Sequence, residues 1–113
     1  MELRFHPGRV FASRRVVALL SSPQRKDLVR RHVSGDWDET HRAKNEEAVR
    51  DGGNILSAFF FNDSKGGSVT VWVLTEANRG RTILMCPEES PYRSSDLEEV
   101  NDPSFYGWPS TVR

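Results

Sequence analysis

The sequence predicts an α+β fold in which N-terminal helices pack on an antiparallel β-meander. Three observations lead to this fold class. Apolar residues recur at helical spacing up to residue 53, they alternate like the residues of strands over 54–86, and periodicity is lost after Pro87. A chain of 113 residues suits one domain of ordinary size. We therefore expect one domain over residues 1–87 and an extended acidic tail over residues 88–113.

The first half of the chain carries the residues that commonly begin and end helices. Residues 16–20 form an apolar cluster that is typical of a short helix or turn. Ser22-Pro23 predicts the start of a helix running to Val33, since a hydroxyl can cap free amides and proline lacks one. Asp36, with a glutamate three residues later, predicts a second helix start by the capping-box pattern, and Gly52-Gly53 predicts its end.

The second half of the chain has the period of strands. Residues 54–61 are rich in apolar side chains, valines occupy every second position of residues 69–73, and residues 82–86 follow after a short turn. Short connections predict antiparallel neighbours, so we expect three strands, or four if a short edge strand at residues 9–12 joins them. Trp72 should lie on the face opposite the valines, where it would be a binding surface if no helix covers it.

The formal net charge of zero conceals a separation of charge along the chain. Residues 1–32 carry eight arginines and lysines against two acidic residues, a balance of +6, whereas residues 88–102 carry six acidic residues against one arginine, a balance of −5. This pattern fits either a polyanion-binding region with an acidic tail or two segments that attract each other. The candidate basic face is Arg14, Arg15, Arg25, Lys26, Arg30 and Arg31, and the candidate acidic binding residues are Glu88, Glu89, Asp96, Glu98 and Glu99.

Composition also indicates where the protein functions. Cys86 is the single cysteine, so no intramolecular disulfide can form and a reducing compartment is expected. The first residues lack the apolar core of a signal peptide, and no apolar run approaches the roughly 18 residues of a membrane span. We expect a cytoplasmic protein that does not bind membranes.

Two groups of residues could carry chemistry. His32, Asp36 and His41 are acceptable metal ligands, but their spacing crosses a helix break, so we predict no metal site and no cofactor. Glu76 and Arg79 lie in one turn, where they could clamp an anion or serve only as hairpin residues. If Glu76 meets His32 in the fold, a general acid–base pair becomes possible. The enzyme alternative is therefore a small hydrolase or nuclease that uses His32, Asp36, Glu76 and Arg79.

Several aromatic residues are candidates for partner binding. The tail contains three of them close together, and they either pack back onto the domain or form a short recognition segment. Together with the turn arginine, the candidate binding residues are Trp37, Trp72, Arg79, Phe105, Tyr106 and Trp108.

Five short motifs, in fixed order, carry a resemblance to a known family. They are His32-Val33-Ser34-Gly35-Asp36-Trp37, Asn45-Glu46, Ile55-Leu56-Ser57, Trp72-Val73-Leu74-Thr75-Glu76-Ala77-Asn78-Arg79 and Pro87-Glu88-Glu89. Over about residues 9–90 the chain resembles an uncharacterised family of small plasmid-related accessory proteins of bacterial mobile elements. It departs from the family pattern at Asp38, where glycine is usual, at Asn78, where aspartate is usual, and at Gly80, where serine is usual.

The resemblance implies a context of plasmids, integrative elements and phages, in which short accessory proteins often counter host defences. The leading hypothesis is a non-enzymatic binding protein that inhibits a defence complex, such as a CRISPR or restriction system. Its expected partner is a defence ribonucleoprotein or nuclease, which it would block directly or by mimicking nucleic acid with its acidic segment. Direct nucleic-acid binding through the basic region is a further version of this hypothesis.

Overall fold

A mixed β-sheet forms the centre of the protein in the computed structural model, which describes residues 3–62 and 65–101. The five strands of this part of the chain are β1 (Arg9–Ser13), β2 (Ile55–Asn62), β3 (Ser68–Thr75), β4 (Arg81–Met85) and β5 (Leu97–Asn101). They lie side by side in the order β2-β3-β4-β1-β5. All neighbouring strands run antiparallel except β1 and β4, which are parallel. The α+β class is therefore confirmed.

The predicted meander is present as β2, β3 and β4, but the prediction of a three- or four-stranded, wholly antiparallel sheet is wrong. The strand predicted at an edge over residues 9–12 lies in the interior, between β4 and β5. It can run parallel to β4 because residues 14–80 supply the long crossover connection that parallel neighbours require.

The segment after Pro87, predicted to be an extended tail, instead contains two short turns of 3-10 helix and an added strand. The turns are Pro87–Glu89 and Ser94–Asp96, and β5 follows them and pairs with β1. Periodicity does not reveal β5, which is held by its pairing with β1 and by an ion pair: Arg9 Nη2 lies 2.6 Å from Glu99 Oε1.

Three helices connect β1 to β2, as predicted, but the capping residue of the second and the start of the third lie at other positions. They are α1 (Arg14–Leu19), α2 (Ser22–Ser34) and α3 (Glu39–Asp51). Ser21, not Ser22, caps α2, because its hydroxyl and amide exchange hydrogen bonds with the glutamine three residues later. The residue before α3 is Asp38, not the predicted Asp36. The carboxylate of Asp36 pairs with Arg31 at 2.8 Å.

The helices pack on one face of the sheet and form the core there. Alternation along β3 directs Val71 and Val73 toward the helices, where both are fully buried. They join a cluster that includes Leu28, Val29 and Val33 of α2. A second, smaller cluster under α3 consists of Trp37, Ala48 and Ile55, with Val49 packed against it.

The opposite face of the sheet carries Trp72, as the alternation predicts. Trp72 and its neighbours Leu56 and Leu74 are half-buried, while Ile83 and Met85 are buried. None of the helices within residues 3–62 and 65–101 combines the length and apolar character needed to cross a membrane.

A close approach of two backbone segments yields the first testable prediction. Gly8 has a φ of +69°, and a Cβ added there would lie 2.4 Å from the carbonyl oxygen of Gly80. We expect Gly8→Ala to lower the free energy of unfolding by about 3 kcal/mol, from backbone strain plus the clash. Urea denaturation measures the change.

Gly66→Ala is the matched control for that substitution. Gly66 also has a positive φ, +82°, but nothing lies within 4 Å of the added Cβ. Strain alone should cost about 1 kcal/mol. Equal losses in the two variants would contradict the close packing of Gly8 against the β3–β4 turn.

Candidate functional site

His32, the candidate general base, lies in the core where α2 meets the sheet. Its side chain is fully buried. The ring Nδ1 lies 2.5 Å from the hydroxyl of Ser57 on β2, and Nε2 lies 2.9 Å from the hydroxyl of Thr75 on β3. Both ring nitrogens therefore have hydrogen-bond partners inside the protein.

The hydrogen bonds of His32 continue as a chain across the core. Thr75 Oγ1 lies 2.6 Å from Thr82 Oγ1 on β4, and Thr82 donates to the carbonyl oxygen of Pro7 at 2.7 Å. A carbonyl can only accept, so Thr82 must accept from Thr75, and Thr75 must accept from Nε2–H of His32. Nδ1 then accepts from Ser57. This buried chain of hydrogen bonds fixes the tautomer of the imidazole.

The environment of His32 keeps it neutral. Burial, and then the positive charge of Arg79, lowers its pKa to about 3. A base with a pKa that low, with no access to solvent and with both nitrogens engaged, cannot take a proton from a substrate near neutral pH. His32 therefore has a structural role.

Glu76, the proposed partner of His32, lies on the other side of the sheet. Its adjacent residue Thr75 points toward His32, and successive residues of a strand point to opposite faces. The two carboxylate oxygens of Glu76 accept from Arg81 Nε at 2.8 Å and from the hydroxyl of Tyr92 at 2.6 Å. The hydrogen bond from Arg81 is the main reason that the pKa of Glu76 is lowered.

Arg79 holds the β3–β4 turn against the end of α3. Its backbone has a φ of 59°, and its guanidinium donates to the carbonyl oxygens of Gly53 at 2.7 Å and Ala48 at 2.9 Å. It also donates to two carbonyls of its own turn. Burial lowers the pKa of its guanidinium. These bonds explain an arginine at this position without a bound anion.

The remaining candidate ligands and catalytic groups are likewise separated. Asp36 is exposed and pairs with Arg31, and His41 Nδ1 lies 2.6 Å from Asp38 Oδ2. Within residues 3–62 and 65–101, no three histidine, cysteine or carboxylate side chains could hold a metal ion together. His32, Asp36, Glu76 and Arg79 do not share one pocket.

The separated charges of the sequence attract one another in the fold. Arg9 pairs with Glu99, and Arg15 pairs with Glu88. The carboxylate of Glu89 accepts from the Ser13 hydroxyl at 2.8 Å. Three of the candidate acidic binding residues are thus engaged inside the domain. Asp96 lies in the second 3-10 turn and Glu98 in β5.

The candidate basic face is divided between two helices. Arg14 and Arg15 belong to α1, and the other four residues belong to α2. In α2, Arg30 pairs with Asp27 and Arg31 pairs with Asp36, while Arg25 donates to the carbonyl of Leu20 at 2.7 Å.

Strand β2 forms one edge of the sheet, and its outward-facing backbone is partly occupied. The amide of Leu56 donates to Asn45 Oδ1 at 3.1 Å, and its carbonyl accepts from Asn45 Nδ2 at 2.7 Å. Two residues later, the amide of Ala58 donates to Asp38 Oδ1 at 2.7 Å. By the same alternation, the amide and carbonyl of Phe60 face outward, and no described residue bonds to them.

Two clefts flank the open end of β2. One, of about 280 Å³, lies between β2 and the region from Arg31 to Asp38, with Trp37 in its lining. The other, of about 320 Å³, lies between the end of β2 and the α1–α2 connection. Phe61 lines both clefts. We call Leu19, Phe60, Phe61 and the two clefts the open-edge surface.

Two exposed apolar side chains belong to the open-edge surface. Phe60 is 71% exposed and Leu19 is 38% exposed, and they are the large apolar residues classed as exposed in the described chain. Arg31, at the rim, lies with its guanidinium carbon 4.8 Å from the centre of the Phe59 ring. An exposed phenylalanine beside unpaired backbone groups is typical of a surface that binds another protein.

The aromatic residues predicted to bind a partner occupy other places. Trp37 is only 2% exposed, and its indole donates to the carbonyl of His32 at 2.9 Å, so it supports the cleft instead of projecting from it. Trp72 is half-buried on the helix-free face of the sheet. Phe105, Tyr106 and Trp108 lie outside the described residues.

The sequence contains a signal for Phe60 that the prediction did not use. Three phenylalanines follow one another at residues 59–61, and a strand cannot direct consecutive residues to the same face. Since the outer two point to the core side, the middle one had to face away from it.

Comparison with known proteins identifies no family for this chain. The chain matches no protein-family model, no curated protein and no solved structure at a significant level. The site must therefore be interpreted from its own geometry.

The buried imidazole predicts how stability depends on pH. The pKa of His32 is about 3 in the folded protein and about 6.5 in the unfolded chain, so only the unfolded chain gains this proton as pH falls below 6.5. We expect stability to fall by about 2 kcal/mol between pH 7 and pH 5 for this group. Urea denaturation at several pH values measures it.

Two variants separate the contribution of His32 from those of other groups. His32→Gln should lose this pH dependence over the same range, whereas His41→Gln, at a partly exposed histidine, should keep it. If the free energy of unfolding of wild type and of His32→Gln changes equally between pH 7 and pH 5, the conclusion that buried His32 is neutral is wrong.

Proposed function

We propose that this protein is a non-enzymatic binding protein that holds a protein partner at the open-edge surface. The observation that carries the proposal is Phe60, which exposes 71% of its surface at a point of the sheet edge where no described residue bonds to the outward amide and carbonyl. Isolated exposed apolar residues are common, but here the ring, the edge and two clefts coincide.

The use of the polar residues supports binding over catalysis. His32, Glu76 and Arg79 are each occupied by internal hydrogen bonds, and Asp36 pairs with Arg31 on the surface. The arrangement offers no acid–base pair to a substrate, so the hydrolase alternative has no observation in its favour.

The biological role that we propose is inhibition of a host defence complex, of the restriction or CRISPR kind. This part rests on the resemblance to accessory proteins of mobile elements. Direct blocking fits the charges better than mimicry of nucleic acid, because Glu88, Glu89 and Glu99 are engaged with other residues of the domain. Direct nucleic-acid binding is disfavoured for the same reason, since Arg9, Arg15 and two arginines of α2 have carboxylate partners.

The proposal predicts the effect of removing the exposed apolar groups. The double variant Leu19→Ser, Phe60→Ser should reduce capture of a defence complex by about tenfold or more, because apolar anchors dominate interface energies. It should also abolish the rise in phage plating efficiency that expression of the wild-type protein causes in cells carrying that system. Capture is measured by affinity purification with mass spectrometry.

Glu47→Ser is the control, because Glu47 is exposed on α3 away from the open-edge surface. It should retain both capture and the effect on plating. Glu47→Ser should unfold within about 0.5 kcal/mol of wild type, since its side chain is at the surface. The double variant should lose no more than about 2 kcal/mol, since Leu19 is 38% exposed and Phe60 71% exposed. Undiminished capture by the double variant would contradict the assignment of the binding surface.

A further inference from the structure

We propose that the open end of β2 binds an extended, arginine-containing segment of the partner, which adds to the sheet as a further strand. This inference rests on the proposed function, since it specifies what the open-edge surface binds and how.

The first step is the pattern of bonds along the edge of β2. Asn45 both donates to and accepts from Leu56, which is how one residue of a neighbouring strand would bond there. Asp38 then occupies the amide of Ala58. The amides of two successive outward positions are thus occupied, whereas no described residue bonds to the amide or carbonyl of the third, Phe60.

The second step is what an unpaired outward position offers. A free amide and carbonyl on an edge strand are a template for another extended chain. A peptide lying along the edge could continue the pairing that Asn45 and Asp38 begin. Its side chains would alternate between the helix side, where the cleft beside Trp37 lies, and the side of the Phe60 ring.

The third step is the charge around the cleft. Asp36 and Asp38 contribute two carboxylates to its lining, against one guanidinium from Arg31. The side chain of Asp36 is 58% exposed, and Arg31 Nε bonds to one of its oxygens, so acceptor positions remain. A positively charged side chain would complement this wall, whereas an acidic segment would be repelled.

The fourth step selects arginine among the cations. A guanidinium donates two parallel hydrogen bonds to a carboxylate, which an ammonium group does not. Asp36 provides the carboxylate in the cleft on the helix side, while the residues between the arginines would meet the Phe60 ring on the opposite side of the strand. Surfaces that hold nucleic acid are rich in arginine and lysine, so a blocked nucleic-acid surface would contain segments of this chemistry.

The test measures binding of a peptide to the full chain. The peptide alternates valine and arginine, and both of its termini are capped. Two versions carry N-methyl groups on alternate amides, one version on each edge of the peptide. Strand addition requires the amides of one edge only, so one version should bind at least tenfold more weakly while the other binds like the parent peptide. Calorimetry measures the affinities.

Variants of the protein give an independent test of strand addition. Proline lacks an amide hydrogen and is tolerated in an edge strand where that hydrogen faces solvent. Phe60→Pro should therefore bind the peptide at least tenfold more weakly than Phe60→Ala, which loses the same ring but keeps the amide. Asp36→Asn should also weaken binding severalfold, and a valine–glutamate peptide should not bind. Thermal unfolding checks that the variants are folded.

Each failure has a separate meaning. No binding of the valine–arginine peptide, or equal affinities of the two N-methylated versions, would overturn strand addition. Equal binding of the valine–glutamate peptide would overturn the charge assignment. If either occurs while the Leu19→Ser, Phe60→Ser variant still loses capture of a defence complex, the binding role stands without this mechanism. If the peptide binds as expected and capture is unchanged, the proposed function fails instead.

Discussion

The ring of His32 lies where α2 meets the sheet, and the need to hydrogen-bond both of its nitrogens links distant parts of the chain. Its partners come from β2 and β3, and the hydrogen bonds continue through Thr82 to the backbone of Pro7. A buried polar group that loses its partner costs roughly 1–3 kcal/mol, so each member of this chain constrains the next. These hydrogen bonds fix the positions of α2, three strands and the N-terminal segment relative to one another. Arg79 adds a second constraint by donating to the carbonyls of Ala48 in α3 and of Gly53 just after it.

These constraints use most of the side chains that could have carried chemistry. His32 bonds to two hydroxyl groups, Glu76 to the side chains of an arginine and a tyrosine, and Arg79 to backbone carbonyls. The opposite charges of the two ends of the sequence likewise meet as the pairs of Arg9 with Glu99 and of Arg15 with Glu88. Among the described residues, the fold leaves the outward amide and carbonyl of Phe60 without a bonding partner, next to two exposed apolar side chains. The proposed binding role assigns the function to this stretch of backbone and its aromatic ring.

Local signals predicted local structure well. Gly52 ends its helix in a left-handed conformation, and the alternation of Val71, Trp72 and Val73 gave the faces of β3 correctly. Features that depend on contacts between distant residues could not be predicted in this way. β5 depends on pairing with β1, and the role of Asp38 depends on its meeting the amide of Ala58, twenty residues later. The buried hydrogen bonds of His32 could not be predicted either, because its partners lie 25 and 43 residues away. Phe60 could have been identified as outward-facing, because residues of a strand alternate between its two faces.

Amide hydrogen exchange, measured residue by residue by NMR, tests most directly the claim that β2 is closed at two outward positions and open at the third. The amides of Leu56 and Ala58 bond to Asn45 and Asp38, so they should be protected and exchange slowly. The amide of Phe60 should exchange orders of magnitude faster, because no described residue bonds to it. Equal, strong protection of all three amides in the isolated protein would contradict the open edge on which the proposed binding mode depends.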